Sequence, residues 1–206
     1  MIPIHLDPAQ TRIGLVGRAE LTVRRLAWLR ALGGNPLVYS DQPDAILREA
    51  AGTALIARLP TTSDLSEMQV IWVADLTPEE SEALGAQARA AKVLLNTEDV
   101  LPLCDFHTPS ILRRGRLVLS AGTGGASPAA ASFVRERLAA SFPKEWAEML
   151  ESLAAERQAL KSAGATMAEM KQAALARLEA TFGPATPYRG ETGNTSNAST
   201  IPPFGD

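Results

Sequence analysis

The 206-residue sequence is short of several things, and each shortage excludes a class of protein. It has a single cysteine, Cys104, so an intrachain disulfide framework is excluded and a reducing compartment fits. It has no apolar run near the roughly 18–20 residues that a membrane span needs. The N-terminal MIPIHLDP lacks a basic stretch followed by an apolar one, so it does not read as a signal peptide. Positive charge is not in excess. The formal net charge is −3, which leaves no global field for nucleic acid. No internal repeat is evident. What is present, 46% hydrophobic and 21% charged residues, is globular in character, and a cytoplasmic location is the expectation.

The apolar runs are short and evenly spaced. Arg12–Val16, Pro36–Tyr39, Ala54–Leu59, Val70–Ala74 and Val93–Leu95 read as five buried strands. Between them lie helical patterns at Glu20–Leu32, stopped by Gly33-Gly34, and at Asp44–Ala51. Thr77-Pro78-Glu79-Glu80 opens another, with a capping Thr, a first-turn Pro and an acid three residues after the cap. Pro60–Glu67 reads as a polar loop. Strand and helix in alternation predict an α/β fold with a doubly wound parallel sheet. After Asp99 the rhythm changes. Ser110–Arg113 and Leu117–Ser120 flank Arg114-Gly115-Arg116 as a hairpin. Helices follow at Ala129–Ser141, Glu145–Ala163 and from the Thr166 capping box to about Phe182. The Gly-, Pro-, Ser- and Thr-rich stretch 183–206 reads as a disordered tail. Three helices after a hairpin bury little apolar surface alone, so a homodimer is expected.

Several constellations bear on chemistry. Gly17-Arg18-Ala19-Glu20-Leu21-Thr22 stands where a dinucleotide fingerprint would, after a strand and before a helix, with the second Gly replaced by Ala19 and the last small residue by Thr22. It is read either as a nucleotide-binding turn or as an ordinary tight turn. Asp41 lies about twenty residues on, where a ribose-binding acid belongs, or opens a turn with Gln42-Pro43. Asp99 follows the fifth strand beside Glu98 and is either a cleft carboxylate able to accept a proton or a solvated loop acid. Cys104 and His107 are too few for a zinc site and fit a framework better. Arg113, Arg114 and Arg116 could hold an anionic ligand or line a solvated turn. The loop Gly122–Ser127 could cradle an anion, but without a P-loop Lys it is no NTPase.

The order of these motifs resembles the siroheme synthase N-terminal module, the precorrin-2 dehydrogenase/sirohydrochlorin ferrochelatase family, over roughly residues 1–165. The residues that carry the likeness are Leu95-Asn96-Thr97-Glu98-Asp99, Cys104-Asp105-Phe106 through Pro109, Ile111 and Arg114-Gly115, then Gly122-Thr-Gly124-Gly125-Ala-Ser127-Pro128 and Phe142-Pro143-Lys-Glu-Trp146, with Leu6-Asp7 before the first strand. The resemblance implies a Rossmann-like NAD-binding domain over 1–112, a dimerisation or central region over 113–143 and a helical domain over 144–182. It implies NAD⁺-dependent oxidation of the tetrapyrrole precorrin-2 to sirohydrochlorin, with Fe²⁺ as a further substrate for insertion to siroheme. Asp99 would serve both steps. Glu20, Leu21, Asp41 and Gln42 would contact the cofactor, beside Gly17, Arg18 and Ala19. Arg113, Arg114, Arg116 and His107 would face the substrate carboxylates, and Ser127 matches a serine that some members phosphorylate. The methyltransferase domain fused in some relatives is missing, so a stand-alone module is expected. The competing readings are a catalytically silent dinucleotide- or tetrapyrrole-binding module, and a chelatase without the oxidation step.

Overall fold

A computed structural model describes residues 2–184 of the chain. The expected tail lies, from 185 on, outside the described residues. The first half alternates as the apolar runs require. In chain order it forms β1 (Ile13–Val16), α1 (Glu20–Ala31), β2 (Leu37–Tyr39), α2 (Ala45–Ala51), β3 (Leu55–Ile56), α3 (Thr62–Ser66), β4 (Val70–Val73), α4 (Pro78–Ala90) and β5 (Leu94–Thr97). All sheet pairings are parallel and the strand order is β3-β2-β1-β4-β5. The chain therefore runs outward to one side from β1, then returns to build the other side from β4. This is the doubly wound arrangement that places a ligand crevice beside the first strand.

The strand pleat sorts the core into two layers. Leu15, Val38, Val70 and Trp72 face α1 and α2, where Leu26, Leu29 and Leu47 meet them. Val16, Tyr39, Ile71, Val73 and Leu95 face α3 and α4, against Leu65, Leu84 and Ala88. Because β1 and β4 are buried along their whole length, they read as continuous apolar runs rather than alternating ones. Truncating a fully buried leucine such as Leu15 or Leu95 is expected to cost about 2–5 kcal/mol.

Two local expectations need correction. Pro60–Glu67 is not all loop: α3 lies within it, opened by a Thr61–Asp64 capping box and contributing only Leu65 to the core. A single apolar anchor in a five-residue helix leaves no periodicity to detect. The strand expected over Ala54–Leu59 is only Leu55–Ile56. The Arg58 N–H turns back to the Ile56 carbonyl at 2.8 Å, and the Arg58 guanidinium pairs with Asp64. The chain thus leaves the sheet edge early.

Beyond β5 the chain forms the antiparallel pair β6 (Ser110–Arg114) and β7 (Leu117–Ala121), then α5 (Pro128–Ser141), α6 (Trp146–Ser162) and α7 (Met167–Phe182). The molecule divides into two compact units. One is Met1–Arg113 with Val118–Phe142; the other joins 114–117 to the chain from 143 on. In the second unit Trp146 stacks on Phe182 with ring centres 4.4 Å apart, and Met149 and Met170 are buried. Arg177 on α7 reaches Glu156 and Ser152 on α6. Gly115, at φ 58, turns the hairpin tip so close to Ala147 that a Cβ would stand 3.1 Å from the Ala147 Cβ.

Candidate functional site

The sheet register sets the site. Val16 is paired with Tyr39 and with Val73, and Val73 with Thr97, so four strands end level. The next N–H groups continue the ladder: Gly17 to Tyr39, Ser40 to Ile56, Ala74 to Val16 and Glu98 to Val73, all within 3.0 Å. One residue further stand Asp41, Arg18, Asp75 and Asp99, in the sheet order β2-β1-β4-β5. At ~4.8 Å between strands, this row of charged residues spans roughly 14 Å of the carboxyl edge.

The β1–α1 turn is built by close approach. A Cβ on Gly17 would collide with Thr22 Oγ1 and the Ala74 carbonyl, so only glycine fits. Ala19 is not under the same demand: as the N-cap of α1 its φ is −141, outside the left-handed region that favours glycine. Thr22 is fully buried under the turn. Asp75, past β4 in left-handed backbone at φ 56, accepts on Oδ2 from Ala19 N at 3.1 Å, Thr22 N at 2.9 Å and Thr22 Oγ1 at 2.8 Å. The first helical turn then offers the N–H groups of Glu20 and Leu21 as its remaining orphan donors.

Arg18 ties the neighbouring ends together. Its Nε and Nη2 donate to the two oxygens of Asp41 at 2.8 and 2.9 Å, and Nη1 and Nη2 to Glu80, at the start of α4, at 2.7 and 2.6 Å. The guanidinium holds Asp41 below the usual carboxylate range. With help from the Thr77 N–H, it pulls Glu80 down to about 2. The two acids in turn raise Arg18 further. Gln42 is exposed beside Asp41. Ser40 Oγ, just before Asp41, is buried without a hydrogen-bond partner among the described residues.

The β5 end is built differently. After Asp99, a short 3-10 turn at Leu101–Leu103 brings the chain back along β5. Asp105 N donates to Leu95 O at 2.7 Å while Asp105 Oδ2 accepts from Leu95 N at 3.0 Å, so the returning segment pairs with the strand edge. Buried Asn96 donates from Nδ2 to Phe106 O at 2.8 Å. Phe106 meets Trp72 edge-on at 5.0 Å, and Trp72 Nε1 donates to Thr108 at 3.2 Å. Cys104 Sγ lies 3.2 Å from Thr97 O, and burial pushes its thiol up, so it stays protonated at neutral pH. These contacts fix the base of a loop with Asp99 at its tip. Glu98 pairs with Arg25 of α1. Asp99 itself is exposed, sits at φ 60, and makes no hydrogen bond or ion pair among the described residues. The 122–127 loop lies alongside: a Cβ on Gly125, at φ 85, would come 2.7 Å from Leu101 Cδ1.

The other expected residues are more dispersed. His107 is half-buried eight residues after Asp99. Arg113 is exposed on β6, whereas Arg114 and Arg116 belong to the second unit, where Arg116 pairs with Glu151 at 2.8 Å between two well-exposed side chains. Ser127 caps α5, its Oγ accepting from Ala130 N at 3.1 Å. Among the described residues no three His, Cys, Asp or Glu side chains cluster to hold a metal. No described helix is long and apolar enough to cross a membrane.

Sequence reasoning passed over Asp75, Glu80 and Arg25 as members of this edge. The signal available for Asp75 was its place, one residue past the most hydrophobic strand, in register with Asp99. Taken together, the edge fits a dinucleotide. Gly17 admits close approach, Glu20 and Leu21 offer phosphate donors, Asp41 stands where a ribose diol would be met, and the orphaned Ser40 hydroxyl lies beside it.

Comparisons with known proteins agree with this geometry. Residues 4–110 match the family described as "Putative NAD(P)-binding". The chain is 30% identical to a siroheme synthase of Pseudomonas putida over 155 residues, covering 73% of this chain and 33% of that protein. It is 29% identical to a siroheme synthase of Methylococcus capsulatus, covering 79% and 35%, and 28% identical to one of Pseudoalteromonas atlantica, covering 69% and 32%. The chain thus spans about a third of the length of these relatives. A solved structure of SirC, a precorrin-2 dehydrogenase, superimposes with a TM-score of 0.64 at 20% identity over 86% of this chain and 89% of that one, which supports the Rossmann-like fold. The chain therefore belongs to this NAD(P)-binding family, and its likeness within it is to the siroheme synthase N-terminal module.

Proposed function

We propose that this chain oxidises precorrin-2 to sirohydrochlorin, with Asp99 as the proton acceptor. The observation that carries the reading is the placement of Asp99. It lies at the β5 end of the row whose β2 end holds Asp41, at the tip of a loop whose base is fixed, with no partner of its own among the described residues. The bound cofactor supplies a hydride acceptor. Everything else falls to the chain. Glu20 and Leu21 N–H groups hold the diphosphate, Asp41 and Gln42 meet the ribose, and Gly17 and Ala19 shape the turn. Arg18 offsets the acids around it. Asp99 takes the proton that leaves as the tetrapyrrole carbon is oxidised.

Glu98, next to it, is already engaged by Arg25 and is not the free acid of the pair. Left-handed backbone at a non-glycine residue is a strained conformation, and here it aims the acid from the loop tip. His107 and Arg113 in the first unit, and Arg114 and Arg116 in the second, are each candidate partners for substrate carboxylates. Fe²⁺ insertion would use the same base, since the pyrrole nitrogens must also lose protons. Ser127 phosphorylation would put an anion on the start of α5, a favourable place for it. The proposed domain plan, 1–112, 113–143 and 144–182, includes a homodimer. Support comes from uncovered apolar side chains, Phe133 and Val134 on α5 and Met167 and Leu175 on α7. We place the protein in the cytoplasm on its single cysteine.

A second reading, a silent dinucleotide-binding module, draws on the acid at the α1 start. One assay separates the readings. Purified protein is given precorrin-2 with and without NAD⁺, and sirohydrochlorin is followed by absorbance; sirohydrochlorin with Fe²⁺ or Co²⁺ is then tested for insertion. NAD⁺-dependent product is expected. Its absence, with NAD⁺ binding retained, would leave the silent module or the chelatase.

A further inference from the structure

The start of α1 already holds an anion of the chain's own. The N–H groups of a helix's first turn, aided by the helix dipole, are the donors to which a dinucleotide brings its diphosphate. In this chain two of those four groups, Ala19 N and Thr22 N, are committed to one oxygen of Asp75, and the Thr22 hydroxyl adds a third hydrogen bond to the same atom. The arrangement is built rather than incidental. Asp75 reaches across from the end of β4 in left-handed backbone. Thr22 is fully buried, with its Oγ1 packed against the only residue type that position 17 can hold. Unlike Asp41 and Glu80, whose charge Arg18 offsets, Asp75 has no cation among its described partners.

We propose that Asp75 is the specificity-determining residue of the nucleotide site. Its fixed negative charge opposes the diphosphate and restricts it to the Glu20 and Leu21 N–H groups, so binding is weaker than the fold alone would allow. The role falls on the phosphates, so ligands with a diphosphate feel it and an uncharged nucleoside does not. Like charges this close to one another cost affinity, and a neutral isostere removes that cost while keeping an acceptor for the two N–H groups. This inference rests on the dinucleotide reading of the turn.

The test is calorimetric titration of the full chain and its Asp75→Asn variant with NAD⁺, ADP-ribose and adenosine. Removing the charge is expected to tighten NAD⁺ and ADP-ribose about five- to tenfold and to leave adenosine unchanged. Equal or weaker binding of NAD⁺ by a variant that melts like the parent overturns the role of Asp75 and leaves the nucleotide reading standing. No binding of NAD⁺ by either protein removes the nucleotide reading and this inference with it. Should Asp75→Asn fail to fold, Asp75→Ser keeps a hydroxyl acceptor and is read the same way. On the parent protein, the amide resonances of Glu20 and Leu21 are expected to shift as NAD⁺ is added and not as adenosine is, because Ala19 N and Thr22 N stay committed to Asp75. Equal response to both ligands also overturns the proposal.

Discussion

The two ends of the carboxyl edge solve opposite problems. At the β2–β1–β4 end the acids are engaged internally: Asp41 and Glu80 by Arg18, and Asp75 by the start of α1. At the β5 end the framework is spent internally, but the terminal acid is not. Asn96, Cys104 and Asp105 secure the loop, Arg25 neutralises Glu98, and Asp99 is left open. Binding and chemistry thus make different demands on similar residues. A binding end tolerates self-pairing, because a ligand with several charges can compete for a shared network. A general base must keep its lone pairs available, so its neighbours carry the structural load.

That contrast can be broken in graded steps. The largest effect is expected from Asp99→Asn, which should lower precorrin-2 turnover about 10²–10⁴-fold with an unchanged melting curve. Asn96→Ala is next. It leaves the half-buried Phe106 carbonyl without its donor and should cost about 1 kcal/mol in denaturant unfolding. With the loop base loosened, kcat should fall about tenfold. Arg18→Met should weaken NAD⁺ several-fold, because it exposes Asp41 and Glu80 to the diphosphate.

The same variant carries a pH signature. The folded pKa of Glu80 is depressed to about 2 from an ordinary 4.5, and Asp41 is also lowered. Their stabilising contribution is therefore present above the ordinary carboxylate range and lost as pH falls through the depressed values. The gap in thermal midpoint between parent and Arg18→Met should be widest near neutrality and close toward pH 2. The smallest effect is expected from Ala19→Gly. Since Ala19 is not left-handed, NAD⁺ affinity should stay within about twofold.

Much of the frame was legible in the residues themselves. The short apolar runs, alternating with helical patterns, point to the parallel sheet, whose β1 and β4 are buried on both faces and so lack alternation, and Gly17 declares a close approach. The capping boxes at Thr77 and Thr166 mark helix starts to the residue. α3 was not legible, since one leucine in five residues carries no period. Nor were the partnerships of Arg18 with Glu80, Arg25 with Glu98 and Asp75 with Thr22. Each joins residues 53 to 73 positions apart, and each exists only because the register brings four strand ends level. Asp99 could be singled out from its motif, but its lack of a partner is a property of the folded loop.

The most direct test of the division between the two ends measures two quantities in two variants. NAD⁺ dissociation constant and turnover at saturating NAD⁺ are determined for Arg18→Met and for Asp99→Asn. The account predicts that Arg18→Met raises the dissociation constant and keeps turnover, while Asp99→Asn loses turnover and keeps the dissociation constant. Either variant moving both quantities together would contradict it.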